Sequence, residues 1–219
     1  MHPDGYKFVI PLLLLAAACS LFSYGLAAVG VAITAAVAYF FRDPFRRPAS
    51  DSSIVLSPAD GYVEEITNVN CTSIANINVA HATRISIVLT IFDVHVNRSP
   101  LAGTVISLVH ISGNFISAFY NHSRDVNERE ICVLENVDGL RVAIVRIAGC
   151  VARRIVTTVK PNQRLLAGDK IGLIRFGSRV DLYVPSNAQI QIAKGTRTIC
   201  GETVIAKFDN MVRQDASGC

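Results

Sequence analysis

The apolar and polar positions of this chain fall into two patterns. From Phe8 to Phe41 no residue is charged. A single straight helix of that length would run about 51 Å, against a bilayer hydrocarbon core of about 30 Å, so one simple span does not fit. Pro11 stands near the start, and Ser23-Tyr24-Gly25 interrupts the middle. These breaks predict two short apolar helices, Leu12–Phe22 and Leu26–Phe41. Gly30 gives the second helix a place where the first can pack closely.

After residue 53 the pattern changes to short β-branched runs, spaced about ten residues apart and broken by Gly, Asn, Asp and Pro. Strands are expected at Ile54–Ser57, Gly61–Ile66, Arg84–Ile91, Gly103–Val109, Glu130–Asn136, Arg141–Ile147, Ile155–Val159, Lys170–Ile174, Val180–Val184 and Thr203–Phe208. Only Asn114–Tyr120 has helical spacing, with Phe115, Ala118 and Phe119 on one side. The fold class is therefore mainly β, a sandwich or barrel resembling hybrid-sandwich folds, with an apolar helical membrane anchor at the N-terminus. Three segments follow: an anchor over 1–43, a Pro- and Arg-containing linker over 44–53, and a β-rich domain over 54–219. Ser57-Pro58-Ala59-Asp60-Gly61-Tyr62-Val63 and Leu166-Ala167-Gly168-Asp169-Lys170-Ile171-Gly172 each set a tight Asp/Gly turn before an apolar strand. The second turn is similar to those of biotinyl- and lipoyl-carrier modules, which leaves a membrane-anchored carrier or binding module without catalysis as an alternative. That role needs an exposed lysine at a hairpin tip, flanked by Met, Asp or Ala, and none stands out.

Composition sharpens the membrane reading. Hydrophobic residues make up 51% of the chain and charged residues 17%, where a soluble domain carries about 25% charged residues. The mean hydropathy is +0.39. A net charge of +4, with no Lys/Arg run longer than two, fits an anionic membrane face and gives no support for a nucleic-acid partner. A secretory signal is the rival reading of the N-terminus. Its apolar region is normally about 7–15 residues, and Arg42, Arg46 and Arg47 just after the apolar stretch oppose export. The expected location is the cytoplasmic face of the cell membrane. Six cysteines, none in a Cys-x-x-Cys pair or at zinc-site spacing from a histidine, read as free thiols, and no metal is expected.

Few residues carry candidate chemistry. Asp60 sits at a strand entrance, where an Asx turn would also use it. In Phe92-Asp93-Val94-His95-Val96-Asn97-Arg98, period-two alternation puts Asp93, His95 and Asn97 on one strand face, and unpaired polar groups are costly there. A satisfied core histidine and a catalytic one are equally compatible with that pattern. His2, His81, His110 and His122 read as structural or solvated. Asn127-Glu128-Arg129 reads as a charged loop, and Arg153-Arg154 as cations for phosphate or solvent. Ser178 follows Gly177 and enters a strand, so it lacks the Gly-x-Ser-x-Gly elbow of a hydrolase. If Ser178, His95 and Asp60 converge, they make a serine activated by a base that a carboxylate orients. The Ser178 hydroxyl can then attack the carbonyl of Gly177, where a glycine offers no side chain in the way.

Six ordered blocks carry a resemblance over nearly the whole chain. They are Arg42-Asp43-Pro44, Ser57-Pro58-Ala59-Asp60-Gly61, Phe92 to Arg98, Asn127-Glu128-Arg129, Ile147-Ala148-Gly149 with Ala152-Arg153-Arg154, and Ile174-Arg175-Phe176-Gly177-Ser178-Arg179-Val180-Asp181. Together they resemble the short branch of the phosphatidylserine decarboxylase family, made as proenzymes. The resemblance implies self-cleavage between Gly177 and Ser178, giving chains 1–177 and 178–219 that stay together as a heterodimer; a higher oligomer is left open. It implies a pyruvoyl cofactor made from Ser178, with no metal and no pyridoxal phosphate. That group would form a Schiff base with the amine of phosphatidylserine in the membrane and release CO2, leaving phosphatidylethanolamine. His95 and Asp60 match the family's assisting histidine and carboxylate. Phe92 stands where longer members carry a second histidine, which leaves His95 or water to return the proton after CO2 loss. No substrate-binding residue is assigned.

Overall fold

The computed structural model describes residues 1–49, 51–70, 81–116, 123–149, 154–175 and 178–208. The chain forms two compact units, Met1–Phe45 and Arg46–Cys219.

The first unit is a pair of helices, α1 (Tyr6–Cys19) and α2 (Tyr24–Phe40). Two helices form as expected, but the break falls at residues 20–23, earlier than Ser23-Tyr24-Gly25. Tyr24 and Gly25 are already in the first turn of α2, and α1 starts six residues earlier than expected. Pro11 therefore lies inside it and removes one backbone hydrogen bond near the first turn, where neighbouring turns hold the helix. A methyl group on Gly30 would lie 2.8 Å from the Ala16 Cβ, so the close crossing of the two helices depends on that glycine. Both helices are apolar all round, and Leu14, Leu15, Phe22 and Tyr24 point outward. Among the described residues, no helix is long and apolar enough to cross a membrane.

The second unit is built from strands. Its main sheet is antiparallel, in the order β13-β2-β3-β11-β7-β6-β5-β9. These are Arg197–Thr198, Gly61–Asn70, His81–Leu89, Ser178–Pro185, Arg141–Ile147, Arg129–Glu135, Gly103–Ile111 and Arg164–Leu165. Two three-stranded sheets accompany it. One joins β1 (Ile54–Leu56), β14 (Val204–Lys207) and β12 (Gln189–Ile190); the other joins β4 (Val96–Arg98), β10 (Lys170–Ile174) and β8 (Ile155–Thr157). All ten expected strands have a counterpart, because each is long enough to show its apolar period. The two-residue strands β9, β12 and β13 were not foreseen, since two residues have no period.

One continuous core holds these layers together. It takes Ile85, Ile87 and Leu89 from β3, Val180, Leu182 and Val184 from β11, and Val142 and Ile144 from β7, packed with Val55, Ile171, Ile174 and Ile205 of the smaller sheets. The opposite face of the main sheet carries a second cluster, with Val133, Ala143, Val145, Ile147 and Tyr183. Both faces of the main strands are thus buried, which explains their near-continuous apolar runs.

Two local expectations change. The helix expected at Asn114–Tyr120 is absent from its described part: Asn114 bridges Asn127, and Asn127 bonds both the amide and the carbonyl of Ile116. Residues 117–120 lie outside the described residues; a short helix, α3, follows at Ser123–Val126. The segment read as a linker is strapped to the second unit. Arg46 pairs with Asp60, the Arg47 amide donates to Glu202 at 2.8 Å, and Pro48 packs on Gly168. Cys19, Cys132 and Cys200 are free thiols, and burial pushes the Cys132 thiol up to about 11.

Candidate active site

Ser178 is the first residue of β11, paired with Leu89 at the last position of β3. On β11 the even-numbered residues face the main core and the odd-numbered ones face away, so Ser178 shares its face with Val180, Leu182 and Val184. It is buried, and its hydroxyl has no hydrogen-bond partner among the described residues. A buried hydroxyl without a partner is costly. Phe176 and Gly177 lie outside the described residues.

His95 reaches this region through the smaller sheet. Its carbonyl accepts the Ile174 amide at 3.3 Å, which extends the β4–β10 pairing up to the residues that lead into Ser178. The same small sheet lies over the core face of β7. Arg146, opposite Val180 and fully buried, pairs with Glu130 and donates to Thr157 Oγ1 of β8 at 2.7 Å. Gly172 makes the approach feasible, since a Cβ there would lie 2.0 Å from the Val156 carbonyl oxygen and 2.4 Å from an Arg146 nitrogen.

The expected three-residue polar face is not built as a strand face. β4 begins only at Val96, and Asp93 closes a turn, with its Oδ2 accepting the Thr90 amide at 2.7 Å and the Thr90 hydroxyl at 2.8 Å. Local turn chemistry outweighs the alternation there, because Asp readily satisfies backbone donors a few residues away. His95 is buried, and its Nδ1 lies 2.9 Å from the Asp93 carbonyl oxygen. A carbonyl only accepts, so Nδ1 carries the proton, and in the neutral ring Nε2 is the nitrogen with the lone pair. Asn97 is buried, with its amide donating to the Pro58 carbonyl at 3.4 Å.

Asp60 comes from the other side. The loop over residues 57–60 is held by the Arg98 amide, which donates to the Pro58 carbonyl at 3.1 Å, and by Thr198 Oγ1, which donates to the Ala59 carbonyl at 3.1 Å. Gly61 then enters β2 at φ +149°, and a Cβ there would lie 2.3 Å from the Val88 carbonyl oxygen. Tyr62 pairs with Val88 and Ser178 with Leu89, so Asp60, the end of β3 and Ser178 lie at one end of three adjacent strands. Asp60 Oδ1 accepts the Cys200 amide at 2.7 Å, and Arg46 meets both carboxylate oxygens. Burial pushes the Asp60 carboxyl above its ordinary 3.8; the Cys200 amide and Arg46 pull it down, and the nearby Asp93 charge adds to the rise.

Arg46 was not singled out from sequence, and no local signal separates it from Arg42 or Arg47. Asp93 was noticed for its side chain, whereas its backbone carbonyl meets the histidine. Glu128 lies 3.9 Å from His110, and Arg154 is exposed. The described residues hold no cluster suited to a metal ion.

The domain is β-rich, with a buried serine and a carboxylate at one end of adjacent main-sheet strands and a buried histidine whose backbone joins the strand leading into that serine. The phosphatidylserine decarboxylase family profile matches residues 33–206. A phosphatidylserine decarboxylase proenzyme of Saccharopolyspora erythraea is 42% identical over 95% of this chain and 88% of its own length. Another, from Pelobacter propionicus, is 42% identical over 87% of this chain and 84% of its own length. One from Wolbachia pipientis is 37% identical, covering 95% and 91%. The chain belongs to the phosphatidylserine decarboxylase family.

Proposed function

We propose that the chain is a proenzyme that cuts itself between Gly177 and Ser178 and then decarboxylates phosphatidylserine to phosphatidylethanolamine. The observation that carries this reading is the buried Ser178 hydroxyl at a strand entrance, with no hydrogen-bond partner among the described residues. In the cut, Ser178 Oγ adds to the Gly177 carbonyl carbon while His95 Nε2 takes its proton. The proton passes to the leaving nitrogen, the peptide C–N bond breaks, and an ester joins the two parts. Loss of the Ser178 Cα proton expels the Gly177 carboxylate and leaves dehydroalanine, which hydrolyses to a pyruvoyl group with release of ammonia. The Asp93 carbonyl sets the His95 tautomer, and Asp60 contributes negative charge that steadies the imidazolium.

Ser178 suits a group that must stay in place after the cut, since β11 is paired on both sides, with β3 and with β7. The pyruvoyl group supplies an electron sink for loss of CO2 from the serine headgroup. His95, once protonated, or water would return a proton to the product carbon. Chains 1–177 and 178–219 would form one heterodimer. The apolar helix pair, with Leu14, Leu15, Phe22 and Tyr24 outward, suits embedding in the cytoplasmic face of a bilayer beside the lipid substrate.

A denaturing gel with intact mass, plus CO2 release from phosphatidylserine, tests the reading. Two fragments, with the small one blocked at its N-terminus, are expected. Ser178→Ala should abolish both cutting and CO2 release. A fully folded wild-type chain that stays at 23.7 kDa would overturn it.

A further inference from the structure

The Ser178 end of the main sheet carries a feature that self-cleavage does not use. Past Leu89 the chain turns sharply through Thr90, Ile91, Phe92 and Asp93 before it delivers His95. The turn is braced from beneath. The Asp93 amide donates to the Thr90 carbonyl at 3.0 Å, Asp93 Oδ2 holds the Thr90 amide and hydroxyl, and Oδ1 pairs with Arg197. Arg197 in turn stacks 4.6 Å above the ring of Tyr62, its cross-strand neighbour.

On this brace stand Ile91 and Phe92, 55% and 69% exposed, beside Tyr62 at 44%. Among the described residues of the second unit, no other two consecutive large apolar residues are both exposed. The brace leaves the tip no uncompensated acid, because Asp93 is buried against Arg197. Exposed Arg154 lies at the same end of the molecule, joined to the approach to Ser178 by the Arg175 amide, which donates to the Arg154 carbonyl at 3.1 Å.

A rigid tip with consecutive apolar side chains, a tyrosine stacked under an arginine and a further cation nearby has the composition of a membrane-interface anchor. We infer that the 90–93 turn, with Tyr62 and Arg197, docks into the headgroup–acyl boundary of an anionic bilayer. It thereby sets the depth at which the Ser178 end meets lipid. The inference rests on the reading that the substrate is a bilayer lipid. It adds a contact made by the β-rich unit itself, separate from the apolar helices.

The chain has no tryptophan, so a single introduced one reports its own surroundings. Phe92→Trp, and independently Ile91→Trp, place the reporter on the tip. Val137→Trp places it on a turn 94% exposed, between β6 and β7. That turn is at the far end of β7, about 20 Å along the strand from Ile147, which pairs beside Ser178. Each full-length variant is mixed with vesicles of phosphatidylcholine and phosphatidylglycerol carrying brominated acyl chains. The expected result is blue-shifted emission at positions 91 and 92, with quenching severalfold stronger than at position 137, while all three proteins sediment with the vesicles. Unquenched emission at both tip positions, equal quenching at position 137, or failure to sediment would overturn the proposal. Self-cleavage is read by gel on the unsubstituted chain in parallel. A chain that docks by its tip but never cuts would sink the decarboxylase reading and leave the docking surface standing.

Discussion

Arg46 reaches both carboxylate oxygens of Asp60 through a single nitrogen, at 3.1 and 2.9 Å. Burial raises the Asp60 pKa and Arg46 opposes that rise. Removing the arginine charge should therefore raise it further. If the ionised form supports self-cleavage, the acid limb of the cleavage rate lies above 3.8, the ordinary value, and moves to higher pH in Arg46→Gln. Arg46→Lys, which keeps a charge, should move it less. The stability sign follows. A carboxyl raised on folding favours the fold below its unfolded pKa and loses that contribution as pH rises through the folded value. Arg46→Gln should thus be destabilised more at neutral pH than near pH 4, and an unchanged acid limb would remove Arg46 from the site.

His95 is the base in this scheme, with the Asp93 carbonyl holding its Nδ1 proton. Loss of a general base typically slows a step by about 10²–10⁴-fold. His95→Ala should slow cutting by that order, measured as the half-life of the uncut band after refolding. Asp93→Asn keeps the backbone carbonyl and should slow it less. Cutting in His95→Ala as fast as in the unsubstituted chain would remove His95 from the chemistry.

Gly61 determines where Asp60 can stand. An added methyl would meet the Val88 carbonyl oxygen at 2.3 Å, on a backbone at φ +149°. Gly61→Ala should therefore cost about 1–3 kcal/mol, the usual range for strained backbone. The lowered Tm should come with slower cutting, since the same shift moves Asp60. Unchanged stability would mean that β2 accommodates the group by moving.

Cleavage should leave the molecule in one piece. β11 is paired residue by residue from Ser178 to Pro185 with β3, and on its other edge with β7. The two chains should co-elute on native size exclusion and separate only in denaturant. Dissociation of the small chain under native conditions would contradict this register.

The long strands were legible because their apolar residues repeat over enough positions to define a face. That the apolar stretch divides into two helices was legible from the polar Ser23, but the break itself sits at residues 20–23, with Tyr24 and Gly25 in α2. Asp93 misled the alternation, since its side chain satisfies Thr90 in a turn. Arg146 was hidden for another reason. It sits on the buried face of β7, and the distant partners Glu130, Thr157 and the Val156 carbonyl make that placement tolerable.

Periodicity and composition thus determined a β-rich domain and an apolar N-terminus, because these depend on neighbours along the chain, and the ordered blocks pointed to Ser178. Which groups meet was a matter of three dimensions. Arg46 to Asp60, Asp60 to the Cys200 amide, and Arg197 to Asp93 join residues 14, 140 and 104 positions apart. Nothing local encodes such pairs; strand register and burial create them. Folding therefore turned one serine after a glycine into a buried hydroxyl with no hydrogen-bond partner among the described residues, at the end of a strand held on both sides.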